Sequence, residues 1–466
     1  MRKLAVVMLT LLLLILVVLP AKEIRDTIER PLYSADVIFD PAQRSLSAKL
    51  NYKLPPGDYE QIVFTVYANA YEQGINGIFV FPQFKERVFY QGESLGSVAV
   101  SDVRVNGVLA DFVLVGTALT IMPRSNVLSN RPVEVTMDYT VTVPKISHRN
   151  GSNKDAVWAG NWLPLLAVRE GQTWLTYPYY PAGDPFHNQV ADFTINIEVP
   201  PGYTLVGPGV LHKTNSTFTV VAKNIREFAI AIGPAYTQAV RTSRQGVELS
   251  FYTYNAPPNT VNSLLDELED MIDYFTAEVG PYSYPSLRFV QTGWFLGGME
   301  YPGVVLLSDA TLQNYYSVRS TMLHELAHQW FYAIIGNNQV TDSWIDEGLA
   351  TFFQQRYLQG SELDSHYAKE RMALAPLLKT HPDVRLGQSL DIYTDWSHYY
   401  RVNYRRSSLM QYDLFKLMGA DKYRLFTQSL YAEYKDSELD KNGLIRLASE
   451  AYGQNLESWF YPWFND

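Results

Sequence analysis

The sequence predicts a multidomain chain in which an N-terminal antiparallel β-sandwich is followed by a mixed α+β domain. Three observations predict it. From about Tyr33 to Gln238, apolar and polar residues alternate with period two; near residue 243 the period lengthens to that of a helix. The chain has 466 residues, 47% hydrophobic and 18% charged, which is enough for two or three packed cores and is not the balance of a disordered chain. The predicted divisions are 1–22, 23–242 and 243–466.

Residues 1–22 read as a signal peptide or an N-terminal membrane anchor. Arg2 and Lys3 precede an uncharged apolar run from Leu4 to Leu19, a positive segment followed by a hydrophobic one. The run is slightly short for a membrane span, which needs about 20 residues. Pro20-Ala21-Lys22 is a poor small-x-small cleavage site. Either reading exports the rest of the chain, so the expected location is extracytoplasmic, secreted or membrane-anchored. No second long apolar run follows.

In the predicted sandwich, Val133, Val135, Met137, Tyr139, Val141 and Val143 alternate with Glu134, Thr136, Asp138, Thr140 and Thr142. One face is apolar and the other polar, as a half-buried strand requires. Phe193, Ile195, Ile197 and Val199 repeat the pattern. Asn106-Gly107, between Val103/Val105 and Val108, is a hairpin-turn signal. Pro56-Gly57, Pro201-Gly202 and Pro208-Gly209 punctuate the region. Beyond residue 243, Leu264, Leu265, Leu268, Met271, Ile272, Phe275 and Val279 recur at helical spacing, and Gly280-Pro281 ends that helix. A strand-like, glycine-rich stretch runs from Phe289 to Leu307. Helical segments continue almost to the end.

Composition removes several functions. The formal net charge is -10 with no basic patch, so nucleic-acid binding has no support. The chain contains no cysteine, which excludes disulfides, thiolate metal ligands, thiol nucleophiles and a lipid-modified N-terminal Cys.

His324-Glu325-Leu326-Ala327-His328 carries the chemistry. Val318, Met322, Leu326 and Phe331 surround it with roughly helical spacing, and Gly336 is the expected stop. On a helix, residues four apart share a face, so both imidazoles can bind one Zn²⁺ and Glu325 can reach the attacking water. Such a motif alone also fits a helix carrying two ordinary histidines. A catalytic site needs a third protein ligand. Glu347 lies eighteen residues past His328, in Trp344-Ile345-Asp346-Glu347-Gly348-Leu349-Ala350 at the start of a second helical run, and a helix–turn–helix return would bring its carboxylate to the metal. Asp342 and Asp346 are either supports for the ligands or helix N-terminal carboxylates favoured by the dipole.

This spacing resembles the gluzincin metallopeptidases, in particular the M1 aminopeptidase family. Gly297-Gly298-Met299-Glu300-Tyr301 is similar to that family's Gly-x-Met-Glu-Asn element, with Tyr where Asn is usual. The resemblance implies an edge strand along the substrate, with Gly297, Gly298, Met299 and Glu300 binding it and Glu300 taking the free α-amino group. Tyr404-Arg405-Arg406-Ser407 resembles the family's Tyr-x-Lys-Gly segment, with Arg406 for Lys and Ser407 for Gly. It implies that Tyr404 steadies the oxyanion as the helix carried by Met410, Leu414, Leu417 and Met418 opens; Tyr399 and Tyr400 compete for the place. Trp174 to Tyr203, and Gly336-Asn337-Asn338-Gln339 before Trp344, look like the compact bacterial members. Because the sequence stops at Asp466, the resemblance implies no C-terminal helical cap.

The implied catalytic domain is thermolysin-like, mostly helical with a small sheet. The implied ligands of one Zn²⁺ per chain are His324, His328 and Glu347, with Glu325 and Tyr404 catalytic and a peptide with a free N-terminus as substrate. Two alternatives stay open: a zinc endopeptidase on the same scaffold, and a non-catalytic exported peptide-binding protein. His148, His187, His212, His366, His381 and His398 lack ligand spacing and read as structural or surface residues. Tyr177-Pro178-Tyr179-Tyr180 reads as packing between domains or as cleft lining.

Overall fold

A computed structural model describes residues 29–124, 127–128, 131–380 and 385–465. The predicted leader, residues 1–22, and His381 lie outside the described residues. Among the described residues, no helix is long and apolar enough to cross a membrane.

The N-terminal domain is built on one eight-stranded sheet. Its members are β1 (Leu32–Asp40), β2 (Ser45–Leu54), β3 (Ser97–Val105), β4 (Val108–Leu109), β5 (Val133–Thr142), β6 (Ala191–Glu198), β7 (Val210–Thr214) and β8 (Thr217–Ile225), in the order β7-β8-β6-β1-β2-β5-β3-β4. The period-two alternation decides which face is buried: Val133, Val135, Met137, Tyr139 and Val141 are each at most 2% exposed. That face packs on two four-stranded sheets. Tyr52 of β2 meets Phe64, ring centroids 5.0 Å apart, and Phe193 of β6 stacks on Phe228 at 5.1 Å. Burying one such side chain contributes about 1.5–3 kcal/mol. Asn106-Gly107 forms the predicted hairpin turn: Val105 pairs with Val108, and both turn residues have positive φ, 49° and 78°.

Two sequence expectations need correction. The sandwich is not wholly antiparallel. β1 enters the middle of the sheet, antiparallel to β2 on one side and parallel to β6 on the other. The predicted division at 242/243 also falls too late. Thr237–Thr242 pairs with Glu248–Thr253 in the second domain's sheet, whereas Ala229–Gly233 belongs to a four-stranded sheet of the first. The change of sheet therefore lies at Pro234–Tyr236. It was hidden because Thr237–Thr242 is one more extended strand, indistinguishable in sequence from those before it.

The second domain begins with a five-stranded sheet: β9 (Thr237–Thr242), β10 (Glu248–Thr253), β11 (Ser286–Thr292), β12 (Gly298–Met299) and β13 (Val304–Ser308), ordered β9-β10-β11-β13-β12. β10, β11 and β13 are parallel neighbours, and every residue of β11 and β13 is buried, as expected of parallel strands covered on both faces. Helix α1 (Pro258–Glu278) makes the crossover between β10 and β11 and buries Leu264, Leu265, Leu268, Met271, Ile272 and Phe275. Helices α2 (Tyr315–His328), α3 (Gln339–Gln359) and α4 (Ser407–Met418) follow.

Helix α2 is capped by the Asn314 side chain, which accepts from the Ser317 N–H. It ends at His328, eight residues before the predicted stop at Gly336. The apolar run Trp330–Ile335 suggested more helix because it is buried throughout, but Tyr332 has φ 115° and cannot continue one. Gly336 instead pairs as a short strand with Glu438. Asp342 breaks α3 with φ -133° and ψ 30°, so the helix proper begins at Ser343, four residues before Glu347.

Candidate active site

Three elements converge on one cleft of about 320 Å³. Helix α2 supplies His324, Glu325 and His328; α3 supplies Glu347; edge strand β12 supplies Gly298 and Met299, followed by Glu300. The helical spacing sets the two imidazoles side by side, Nε2 to Nε2 at 3.1 Å, and Glu347 Oε2 lies 3.3 Å from each. Four-coordinate zinc with ligand bonds of about 2.0–2.1 Å places its ligand atoms about 3.3 Å apart, so this triangle fits that ion.

The electrostatics agree. Burial raises the Glu347 carboxyl, but hydrogen bonds from His324 and His328 outweigh it and bring it down to about 2, so it is an anion. At His324 burial wins and lowers the imidazolium. At His328 burial also lowers it, but the carboxylates of Glu300 and Glu347 prevail and raise it. Burial pushes Glu325 up to about 8 and lifts Glu300 well above the usual carboxyl range, with the neighbouring carboxylates adding to both. Burial and mutual repulsion make it costly to ionise these crowded carboxyls together, a cost that a divalent cation would offset.

Glu325 is 5% exposed, and its Oε2 has no hydrogen-bond partner among the described residues. It stands directly over β12. A Cβ at Gly298 would lie 2.5 Å from Glu325 Cγ, so only glycine leaves that carboxylate its place. The Trp294 indole N–H donates to the Gly298 carbonyl at 2.8 Å and fixes the strand. A Cβ at Gly297 would lie 3.2 Å from Thr321 Oγ1, a tight fit against α2.

Tyr404 does not open a helix, as the sequence suggested. It lies inside a π-helical turn, Tyr400–Arg406, that runs into α4, and Gly419 (φ 76°) stops α4 as predicted. Such wide turns recur at functional sites. The Tyr404 ring stacks on His324 with centroids 5.6 Å apart, and its hydroxyl donates to Glu347 Oε1. Burial and Glu347 raise its ionisation well above the ordinary value, so it stays a donor. Of the competitors, Tyr399 is buried behind Gly183, whereas Tyr400 lines the cleft without reaching the ligands' hydrogen-bond network.

The departures from the family motifs lie mostly outside the cleft. Tyr301 is fully buried and turned to Gly160, where any Cβ would strike its hydroxyl, so its side chain does not line the cleft. Arg406 donates to the Pro462 carbonyl at 3.1 Å near the chain's end. Ser407 donates to the Trp344 carbonyl at 2.6 Å and packs on Gly348, tying α4 to α3 beside Glu347. Asp342 points away from the ligands and accepts from the Trp344 indole at 3.1 Å. Asp346 sits beneath the site: it accepts from Asn337 at 3.0 Å and from Gln339 at 2.9 Å, and Gln339 also donates to Glu300 at 3.2 Å.

Sequence reasoning missed Gln339, Trp294 and the pair Arg149 and Asp184. The last two come from the N-terminal domain and wall the cleft beside Met299 and Glu300, joined at 2.6 Å. Arg149 lies 150 residues before Met299, and nothing in its surroundings marks it in the sequence. Tyr179 packs in the ring cluster of Tyr67, Tyr71 and Phe186, which settles that tyrosine as packing.

A sheet-backed helical domain thus brings two imidazoles and the Glu347 carboxylate within reach of one metal ion, with Glu325 beside them. Residues 260–463 match the Peptidase family M1 domain, which is most of the second domain of this chain. Bovine (Bos taurus) glutamyl aminopeptidase is 27% identical over 165 residues, which cover 33% of this chain and 17% of that protein. Rat (Rattus norvegicus) aminopeptidase B is 24% identical over 258 residues, 52% of this chain and 38% of that protein. The chain thus matches well under half of the length of either relative. A mutant M1 zinc metallopeptidase of Deinococcus radiodurans, solved with a Tyr-Ser-Ala substrate, superposes with a TM-score of 0.66 at 16% identity, covering 93% of this chain and 94% of that one. That likeness is one of two-domain fold.

Proposed function

We propose that the chain is a zinc-dependent aminopeptidase that releases N-terminal residues from peptides. The observation that carries the reading is the triangle of His324, His328 and Glu347 ligand atoms beside an unpartnered buried Glu325. One Zn²⁺ held by these three residues would polarise the scissile carbonyl and lower the pKa of water towards about 7. Glu325 takes the proton of the attacking water and later delivers it to the leaving amine. The Tyr404 hydroxyl turns from Glu347 to the developing oxyanion and donates to it. Glu300, held by Gln339, receives the substrate's α-ammonium and so limits cleavage to the first residue. Gly297, Gly298 and Met299 present strand backbone to the peptide.

Exported and membrane-associated placement completes the reading; its support is the Arg2-Lys3 pair before the apolar run Leu4–Leu19.

Glu300→Ala is the test of the exopeptidase step. With free-amine aminoacyl amides, kcat/KM is expected to fall about 10–100-fold, as for a lost charge-assisted contact of about 1.5–3 kcal/mol. N-acetylated peptides are expected to be poor substrates of both proteins. Rapid cleavage of blocked peptides by the unmodified chain would establish the endopeptidase alternative instead.

A further inference from the structure

The loop that follows the HExxH helix is strained, touches His328, and is held in part from the other domain. His328 Nδ1 is 3.2 Å from the Phe331 carbonyl oxygen. A carbonyl only accepts, so Nδ1 carries a proton, and Nε2 is the nitrogen that faces His324 and Glu347. The next residue, Tyr332, is fully buried with φ 115°. A side chain in such a conformation costs of order 1–3 kcal/mol and persists only where its surroundings impose it.

Part of what imposes it lies in the second domain, where the Tyr284 hydroxyl donates to the Ala333 carbonyl at 3.0 Å and the Tyr332 N–H to the Ile335 carbonyl at 2.8 Å; the rest comes from the N-terminal domain. Arg226 and Glu227, next to each other after β8, are 1% and 0% exposed. Arg226 donates through Nε to the Ala333 carbonyl at 3.4 Å, through Nη1 to the Asn188 carbonyl at 3.1 Å and through Nη2 to the Ser437 carbonyl at 3.0 Å. Its guanidinium lies 6.0 Å from the Tyr332 ring centre and fills the space over Gly336, where a Cβ would be 2.2 Å from Arg226 Cζ. Glu227 Oε1 accepts from Asn161 at 2.7 Å and from Asn188 at 3.3 Å. The Tyr332 hydroxyl lies near this carboxylate, and neither it nor Glu227 Oε2 has a hydrogen-bond partner among the described residues. None of these groups lines the cleft.

We infer that Arg226 and Glu227 are positioning residues for the metal centre: from the N-terminal domain they fix the Tyr332–Ala333 backbone, which presents the Phe331 carbonyl to His328 and holds that imidazole ready to bind metal. This rests on the zinc reading above. It makes the β-rich domain a part of the metal site as well as a wall of the cleft.

The test is the zinc dissociation constant of the full chain, read by chelator competition, with folding followed by near-UV circular dichroism. Arg226→Met is expected to weaken zinc binding about 10–100-fold, the range for lost outer partners of a ligating histidine. Gly336→Ala, which keeps the arginine but displaces its guanidinium, is expected to do the same. Arg226→Lys should recover part of the loss, because an ammonium donates to the same carbonyls. Should Arg226→Met and Gly336→Ala fail to fold, Arg226→Lys decides, and zinc binding weaker than that of the unmodified chain is again expected. Folded variants that hold zinc within twofold of the unmodified chain would overturn the inference and leave the peptidase reading intact. An unmodified chain that binds no zinc would overturn both.

Discussion

Glu325→Gln is expected to lower kcat by about 10²–10⁴-fold, the usual contribution of a positioned general base, while zinc content stays at the unmodified level. Glu325 belongs to neither group of side chains whose ligand atoms cluster, His324, His328 and Glu347 or Glu300, His328 and Asp346. Its carboxylate lies over β12, in the space that Gly298 leaves by having no side chain. Glutamine fills the same volume, so the fold and the metal triangle should persist. What is lost is the ability to accept a proton, which an amide lacks. Steady-state kinetics beside metal analysis would check this, and turnover within tenfold of the unmodified chain with zinc bound would remove Glu325 from the proposed mechanism.

Glu347→Ala is the second large effect. Glu347 Oε2 is 3.3 Å from both imidazole nitrogens, is buried, and has no hydrogen-bond partner beyond them among the described residues. Its Oε1 receives the Tyr404 hydroxyl. Removing it deletes the one anionic ligand and frees Tyr404 together. Zinc affinity is expected to fall by more than the about 10–100-fold seen for lost outer partners, and activity should be undetectable at zinc concentrations that saturate the unmodified chain. A variant that retains the metal with unchanged affinity would show that the cation sits elsewhere.

Much of this site is local in sequence, which is why it could be read. His324 and His328 are four apart, so a helix alone brings them together. Glu347 is one helix–turn–helix away. Glu300 and Tyr404 were reached only through resemblance, since no short-range rule links an edge strand or a π turn to a helix 20 or 60 residues distant. Arg149, Asp184, Arg226 and Glu227 were not reached at all. Their partners lie across a domain boundary, and a polar residue beside a buried strand looks the same in sequence whether it faces water or another domain. The fold shows the same division. Alternation marked β5 and β6 and the heptad-like spacing marked α1, but the end of α2 was lost in Trp330–Ile335, where burial on every side erases periodicity. Likewise the passage between domains was lost in β9, because extended strands occur on both sides of it.

The most direct measurement is hydrolysis of an unblocked peptide by the purified chain as isolated, after exhaustive chelation, and after stoichiometric Zn²⁺ is returned. Loss of cleavage on chelation and its recovery with about one Zn²⁺ per chain is the result expected of His324, His328 and Glu347 as ligands. Cleavage that survives complete removal of metal, or a zinc-loaded chain that cleaves neither free nor blocked peptides, would contradict it.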